Sequence, residues 1–205
     1  MADIWAFRDA VDRWAAGGPG GPASDLAVRL RLGTAVLLEG ASDLAAVEAL
    51  ATQRGRDLAA EGVCVVSMGG AMSIGRYAGL LGLPGLGLRL TGLCDEGEQR
   101  FYHRALTRAG APGRGFFVCV ADLEDELIRA LGATKVEEII HAEGDLRAWE
   151  TFLRQPAQQG RPRQRQLRRF LGTKKGRKIR YGRLLVEHLA PGQTPAPLDD
   201  LFTSL

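Results

Sequence analysis

Residues 35–54 read AVLLEGASDLAAVEALATQR. The opening apolar run, 35–39 (AVLLE), has the length and character of a strand buried on both faces of a parallel sheet. It ends on an acid, Glu39, followed by Gly40. Ser42 is then expected to cap a helix over 43–54, with Leu44, Val47 and Leu50 on its inner face. The same strand–turn–helix grammar repeats along the chain. A second strand is predicted over 63–68, ending at Gly69–Gly70, then a helix over 73–81. A third strand over 88–94 leads to a helix over 96–108, with Phe101, Ala105 and Leu106 inward, and a fourth strand covers 116–120. Strands alternating with helices imply an α/β domain, a parallel sheet of about four strands with helices on both faces.

Outside this unit, Ile4, Phe7, Val11 and Trp14 share one face of a short helix, and GGPGGP at 17–22 reads as a flexible break. Beyond residue 122 the pattern turns helical, over 123–131, 135–142, 145–154 and 182–189. The stretch 156–165 (PAQQGRPRQR) is expected to be a mobile loop, and the final PGQTPAPLDD an extended tail.

The chain has 205 residues, 45% of them hydrophobic and 25% charged, ordinary values for one globular α/β domain with a small appendage. No apolar run approaches the ~18 residues of a membrane span, and no signal peptide is evident. Cys64, Cys94 and Cys119 sit among β-formers without a CxxC pair, which points to buried, reduced thiols in a cytoplasmic protein. The net charge of +3 conceals an asymmetry: residues 154–183 hold twelve Lys or Arg and no acid, leaving the remainder at −9. Such a segment calls for a polyanionic partner, nucleic acid before membrane, unless it is simply a solvated run.

In an open parallel sheet ligands bind beyond the carboxyl ends of the strands, and acids fall at those ends here. Glu39 ends the first strand and Asp95 the third, Asp122 follows the fourth with Glu124 two residues later, and Asp43 opens the helix after Glu39. Carboxylates converging on one crevice repel each other, and either protonation or a bound cation relieves them. Oxygen ligands without His or Cys select Mg²⁺ or Mn²⁺, and two such ions about 3.5–4 Å apart suit phosphoryl chemistry. Support of a helix N-terminus accounts for Asp43 equally well, and Glu96 and Glu98 read as first-turn acids of a helix. Glu39, an acid after VLL in a buried strand, needs a partner. His103, His141 and His188 read as solvated or packing residues, and Tyr77, Tyr102 and Tyr181 as packing residues, with base stacking an alternative for Tyr181 inside the basic run.

AVLLEGASDLAAVEAL resembles the opening signature of TOPRIM domains, and RLTGLCDEGE their second acidic motif. EGASD, ADLEDEL and GTKKGRKIRYGRLL resemble the OLD (overcoming lysogenization defect) nucleases in particular, over roughly residues 35–189. The resemblance implies a Rossmann-like TOPRIM core over 35–125. An N-terminal helix and Gly/Pro linker (1–34) precede it, and a helical, basic extension (126–190) and a tail (191–205) follow. It implies metal binding by Glu39, Asp43, Asp95, Asp122 and Glu124, with Glu39 and Asp95 central to catalysis. It also implies a lysine facing the scissile phosphate. Lys178, just before IRYGRLL, is the expected one rather than Lys174 or Lys175. Two departures stand out. The residue two after Asp95 is Gly97 where many TOPRIM proteins carry a second Asp, and no GxxxxGK[ST] phosphate loop is present where OLD nucleases carry an ATPase domain.

The expected function is therefore a Mg²⁺- or Mn²⁺-dependent endonuclease, a hydrolase that cuts DNA by a two-metal mechanism. It would act alone or with a separate ATPase subunit. Arg163, Arg165, Arg168, Arg169, Lys174, Lys175, Arg177 and Arg180 would contact the nucleic-acid backbone. The alternatives are a non-catalytic TOPRIM module of the recombination-assembly kind, and a domain binding a small phosphorylated ligand. A homodimer stays open.

Overall fold

A computed structural model describes residues 2–111 and 115–205, apart from the side chains of Ala2 and Lys175. Four strands form its centre: β1 (Thr34–Leu38), β2 (Val63–Ser67), β3 (Arg89–Asp95) and β4 (Phe116–Cys119). All neighbours are parallel, in the order β2-β1-β3-β4. From β1 the chain goes outward to β2, then returns across β1 to β3 on its other side. The switch point of the sheet thus lies between the carboxyl ends of β1 and β3, where Glu39 follows β1 and Asp95 ends β3.

Eleven helices are described: α1 (Ala2–Ala15), α2 (Gly21–Arg29), α3 (Ala41–Gln53), α4 (Ile74–Leu81), α5 (Gln99–Arg108), α6 (Leu123–Leu131), α7 (Ala133–Ala142), α8 (Leu146–Leu153), α9 (Arg163–Leu171), α10 (Lys175–Glu187) and α11 (Ala196–Ser204). Because side chains alternate across a strand, each β-run feeds two cores. Val36 and Leu38 of β1, with Val63 and Val65 of β2, pack against α3 and α6 to α11. Ala35 and Leu37, with Cys64 and Val66, pack against α1, α2, α4 and α5. The result is the TOPRIM type of Rossmann-like α/β fold, extended by C-terminal helices. Among the described residues no helix is long and apolar enough to cross a membrane, and all three cysteines are free and buried.

Four expectations about the flanks are corrected. The Gly/Pro stretch is not linker throughout, because Gly21 and Pro22 begin α2. Proline in a first helical turn loses no hydrogen bond the helix would make. Residues 156–165 are not a loose loop: Pro156–Gln158 is a 3₁₀ turn, and buried Gln166 donates to the Gln158 carbonyl at 2.7 Å. α9 then begins at Arg163, with Leu167, Phe170 and Leu171 in the core at helical spacing. α10 starts at Lys175, a full two turns before the predicted 182. The tail is not extended. α11 buries Leu198, Leu201 and Phe202 beside the sheet. Arg56 lies over the Phe202 ring, and Arg89 donates to the Ser204 carbonyl at 3.1 Å. Two of the three prolines that suggested extension, Pro195 and Pro197, sit at the cap and in the first turn, where they are compatible with a helix.

A candidate metal centre at the carboxyl edge of the sheet

The carboxyl edge gathers acids from five elements. Glu39 and Asp95 come from β1 and β3, and Glu98 from the 3₁₀ turn Glu96–Glu98 after β3. Each offers an oxygen, and these oxygens lie within 4.8 Å of one another. Asp43 on α3, and Asp122 and Glu124 at the start of α6, line the same small cavity of about 170 Å³ with Glu39, Asp95 and Lys178. The structure thus brings all five predicted metal-ligand residues and Lys178 to one place. It adds Glu98, which the sequence suggested was only a first-turn acid. The 3₁₀ turn carries Glu98 back beside Asp95 three residues on.

The backbone holds these groups through local chemistry. Glu39 is anchored by its carbonyl, which accepts from the Gly70 N–H at 2.9 Å. Gly69 and Gly70, at φ +71° and +134°, make the turn that aims this donor, a conformation other residues reach only with strain. Their role is to position Glu39. Ser42 is not the cap of α3. Asp43 is held by the Gly40 N–H, which donates to its Oδ2 at 2.8 Å, leaving Oδ1 for the cavity.

The run Asp-Leu-Glu-Asp-Glu opening α6 is sorted residue by residue. Asp122 caps the helix through Oδ1, which accepts from the Asp125 N–H at 2.8 Å. Asp125 accepts from Arg129 and Gln164, and Glu126 from the Val120 N–H at 2.9 Å. Of Glu124, Asp125 and Glu126, only Glu124 lines the cavity, and it is 3% exposed. Its Oε1 lies 3.2 Å from Lys178 Nζ, and its Oε2 is buried without a hydrogen-bond partner.

The electrostatics follow from crowding and burial. Burial, then the charge of Glu124, pushes the Asp43 carboxyl up to about 7, outweighing the Gly40 hydrogen bond and Lys178. Burial, followed by the charges of Glu39 and Asp122, lifts Asp95 to about 7. Glu98 is raised by burial and by Glu39. Glu124 is raised by burial, against the opposing charge of Lys178. Lys178 itself is held above the usual lysine range by Glu124 and Asp43, although burial acts to lower it. These carboxyls lack enough cations of their own.

The donor set fits a hard divalent ion. It is all oxygen, it contains an unpartnered buried carboxylate oxygen, and its wall includes Cys94 and Cys119 only as thiols. Burial pushes Cys94 up to about 11 and Cys119 higher still, so both are neutral thiols beside the carboxylates.

Next to the acids runs a wider groove of about 780 Å³, lined by Arg161, Arg165, Arg168 and Arg169 of the basic segment. Asp122, Glu124 and Lys178 line both spaces and form their shared wall. Arg168 bridges them, its Nε 2.6 Å from Asp122 Oδ2. Of the other predicted nucleic-acid contacts, Lys174 is exposed at the start of α10, and the Lys175 side chain is outside the described residues. Three others pair with acids of the protein itself. Arg177 is 8% exposed, lies over the Phe170 ring at 4.1 Å and faces Asp145. Arg180 also pairs with Asp145, and Arg163 pairs with Glu137 at 2.9 Å. Tyr181 is fully buried, its hydroxyl donating to Asp145 at 3.1 Å, and cannot stack on a base. A run of like charges carries no period that separates inward from outward guanidinium groups.

Lys178 reaches the acids because α10 lies close against α3. Gly182, one turn beyond Lys178, has no Cβ, and a Cβ there would stand 2.5 Å from the Ser42 carbonyl oxygen.

The family model described as the overcoming lysogenization defect protein-like TOPRIM domain matches residues 33–96. These residues are an OLD-like TOPRIM domain. Glu39, Asp43 and Asp95 lie within the matched stretch, while Asp122, Glu124 and Lys178 lie beyond it. The fold likeness to solved structures extends further. The C-terminal region of the Xanthomonas campestris pv. campestris OLD protein aligns over 83% of this chain and 92% of its own, at 24% identity and a TM-score of 0.62. The C-terminal region of the Burkholderia pseudomallei OLD protein aligns over 83% and 95%, at 19% identity and the same TM-score. Comparison with curated protein sequences finds no match. The shared fold therefore covers most of this chain and most of each of those regions.

Proposed function

We propose that the protein is a divalent-metal-dependent nuclease that hydrolyses phosphodiester bonds of DNA. One observation carries the reading: the acidic cavity and the basic groove share a wall made of Asp122, Glu124 and Lys178. A chain gripped along the groove would pass its phosphates directly over the acids.

Glu39, Asp95 and Glu98 form one oxygen set, and Asp43, Asp122 and Glu124 line the cavity beside it. Two Mg²⁺ or Mn²⁺ ions held by these carboxylates would supply an activated water and stabilisation of the leaving oxygen. Glu39 and Asp95 stand at the switch point and are the central pair. Lys178, held at Glu124, places a positive charge where negative charge grows on the phosphoryl oxygens. Arg161, Arg165, Arg168 and Arg169 bind the backbone without reading bases, so affinity falls steeply with salt. The crowding that lifts Asp43 and Asp95 makes the cavity a poor place for three or more carboxylates alone and a good one for dications.

Incubation of closed circular plasmid DNA with Mg²⁺ or Mn²⁺ tests the proposal. Nicking is expected, with losses on the order of a thousandfold in Glu39→Ala and Asp95→Ala, because an ion supplies several kcal/mol of transition-state stabilisation. Undiminished cutting by either variant refutes the site. DNA binding without cutting across several divalent ions would instead identify a non-catalytic assembly module. A second arrangement, a nuclease subunit working with a separate ATPase, draws on the solved relatives being C-terminal regions of OLD proteins. In that case cutting would appear only with the partner. Reduced buried cysteines and a DNA substrate suit the cytoplasm.

A further inference from the structure

The carboxyl edge has a second basic flank that the nuclease reading does not use. α5 begins at Gln99, one residue after Glu98. Arg100, His103 and Arg104 follow at spacings of three and four and, with Gln99, line one exposed patch. The opposite side of the helix buries Tyr102 and Leu106. The patch is therefore a single solvent-facing stripe in the turns nearest the acids. Among the described residues, Arg100, Arg104 and the neighbouring Arg108 pair with no carboxylate. Arg104 Nε instead donates to the Arg100 carbonyl at 3.3 Å, so two guanidinium groups lie along one helix face. Like charges four residues apart work against a helix. Elsewhere in this chain exposed arginines commonly find acids, as Arg13, Arg129 and Arg154 do within their own helices.

Position gives the stripe its meaning. α5 packs in the core with α1, α2 and α4, whereas α9 packs in the core on the other face of the sheet. The two basic surfaces thus flank the acidic edge from opposite helical layers. A ligand that touched both would run past the edge that carries Asp95 and Glu98, which directly precede α5. A mononucleotide or a strand end seated in the α9 groove reaches only one of them.

We infer that Arg100 and Arg104 form a second phosphate-backbone contact for DNA, on the far side of the scissile bond from the α9 groove, so that the substrate is a strand continuous through the site and is cut internally. The inference rests on the proposed nuclease function.

The experiment compares wild type, Arg100→Ala/Arg104→Ala and Arg165→Ala/Arg169→Ala as full-length chains. Fluorescent DNA duplexes of graded length are titrated in Ca²⁺, an ion that fills oxygen sites, at several salt concentrations. Cutting of closed circular and linear plasmid is followed in Mg²⁺. The α5 variant is expected to lower the salt slope of log K by about 1.8, for two lost phosphate contacts. It should also lose the affinity that wild type gains as duplexes grow longer, and nick closed circles several-fold more slowly. The groove variant should weaken binding at every length. An unchanged slope and unchanged length dependence in the α5 variant, with the groove variant weakened, overturns this inference and leaves the nuclease reading intact. Digestion of linear DNA from its ends with closed circles untouched overturns it as well. Wild-type protein that neither binds nor cuts DNA removes both.

Discussion

A lone carboxylate and a cluster of them meet opposite fates in this protein. Asp145, just before α8, is ringed by its own counterions. Arg177 approaches Oδ1 at 3.4 Å, Tyr181 donates to Oδ2 at 3.1 Å, and Arg180 pairs with the same oxygen. Burial acts to raise this carboxyl, but the hydrogen bonds from Arg177 and Tyr181 and the two arginine charges prevail and hold it below the usual range. At the sheet edge, Asp43 and Asp95 are driven up to about 7 by burial and by one another's neighbours. Lys178 and Arg168 reach Glu124 and Asp122 but not the Glu39–Asp95–Glu98 group. A carboxylate that serves the fold is neutralised from within. The sheet-edge group, which we propose takes cations from outside, is left short of them.

This contrast can be broken in several ways. The largest effect is on cutting. Glu39→Ala should remove plasmid nicking by about a thousandfold while leaving the thermal midpoint unharmed, and a matching loss of stability would place Glu39 with Asp145 as a structural acid. Conversely, Asp145→Ala leaves the buried Arg177 guanidinium uncompensated. It should cost about 3 kcal/mol, lowering the melting temperature by roughly 6–12 °C by calorimetry or circular dichroism.

The pH responses should have opposite signs. The folded-state pKa of Asp145 is depressed, so its contribution is present above the ordinary value of 3.8 and is lost as pH falls below that. Asp43 and Asp95 hold protons in the folded chain from 3.8 up to about 7, so their contribution to stability declines as pH rises through that window. Divalent ions compete with those protons. Mg²⁺ or Mn²⁺ affinity, read by calorimetric titration, should rise by up to about tenfold per pH unit below 7 and level off above it. A flat profile would mean that these carboxyls do not bind the ion.

Asp95→Asn should relieve the repulsion. Without divalent ions at pH 8 its melting temperature is expected to rise by about 2 °C, and the gain that wild type shows on adding Mn²⁺ should shrink. The smallest effect concerns Arg168, whose guanidinium lies against Asp122. Arg168→Ala should tighten ion binding about two- to threefold by removing a nearby positive charge, and weaken DNA binding by a similar factor. Losses in both titrations would make Arg168 a scaffold for Asp122.

Much of the sheet was legible from pattern, because apolar runs such as AVLL and VCVV admit few other readings when acids and glycines follow them. Glu39 and Asp95 were legible for the same reason, since an acid ending a buried strand has few roles. The basic segment was not. Leu167, Phe170 and Leu171 anchor α9 and Tyr181 anchors α10, but they sit among twelve basic residues that mask the helical period. Residues 156–165 and the last turn of chain misled for a related reason, because proline in a first helical turn looks the same in sequence as proline in a coil.

From the sequence by itself came the α/β alternation, the acids at strand ends and the one-sided charge of residues 154–183, all of them local properties of residue type and spacing. Only tertiary structure decided which charges are spent inside the protein. Arg177 turned inward to Asp145 while Arg165 and Arg169 line the groove, and of the three acids in the first turn of α6 only Glu124 faced the cavity. Those choices depend on where α6, α9 and α10 dock, and docking is governed by apolar contacts between segments far apart in the chain.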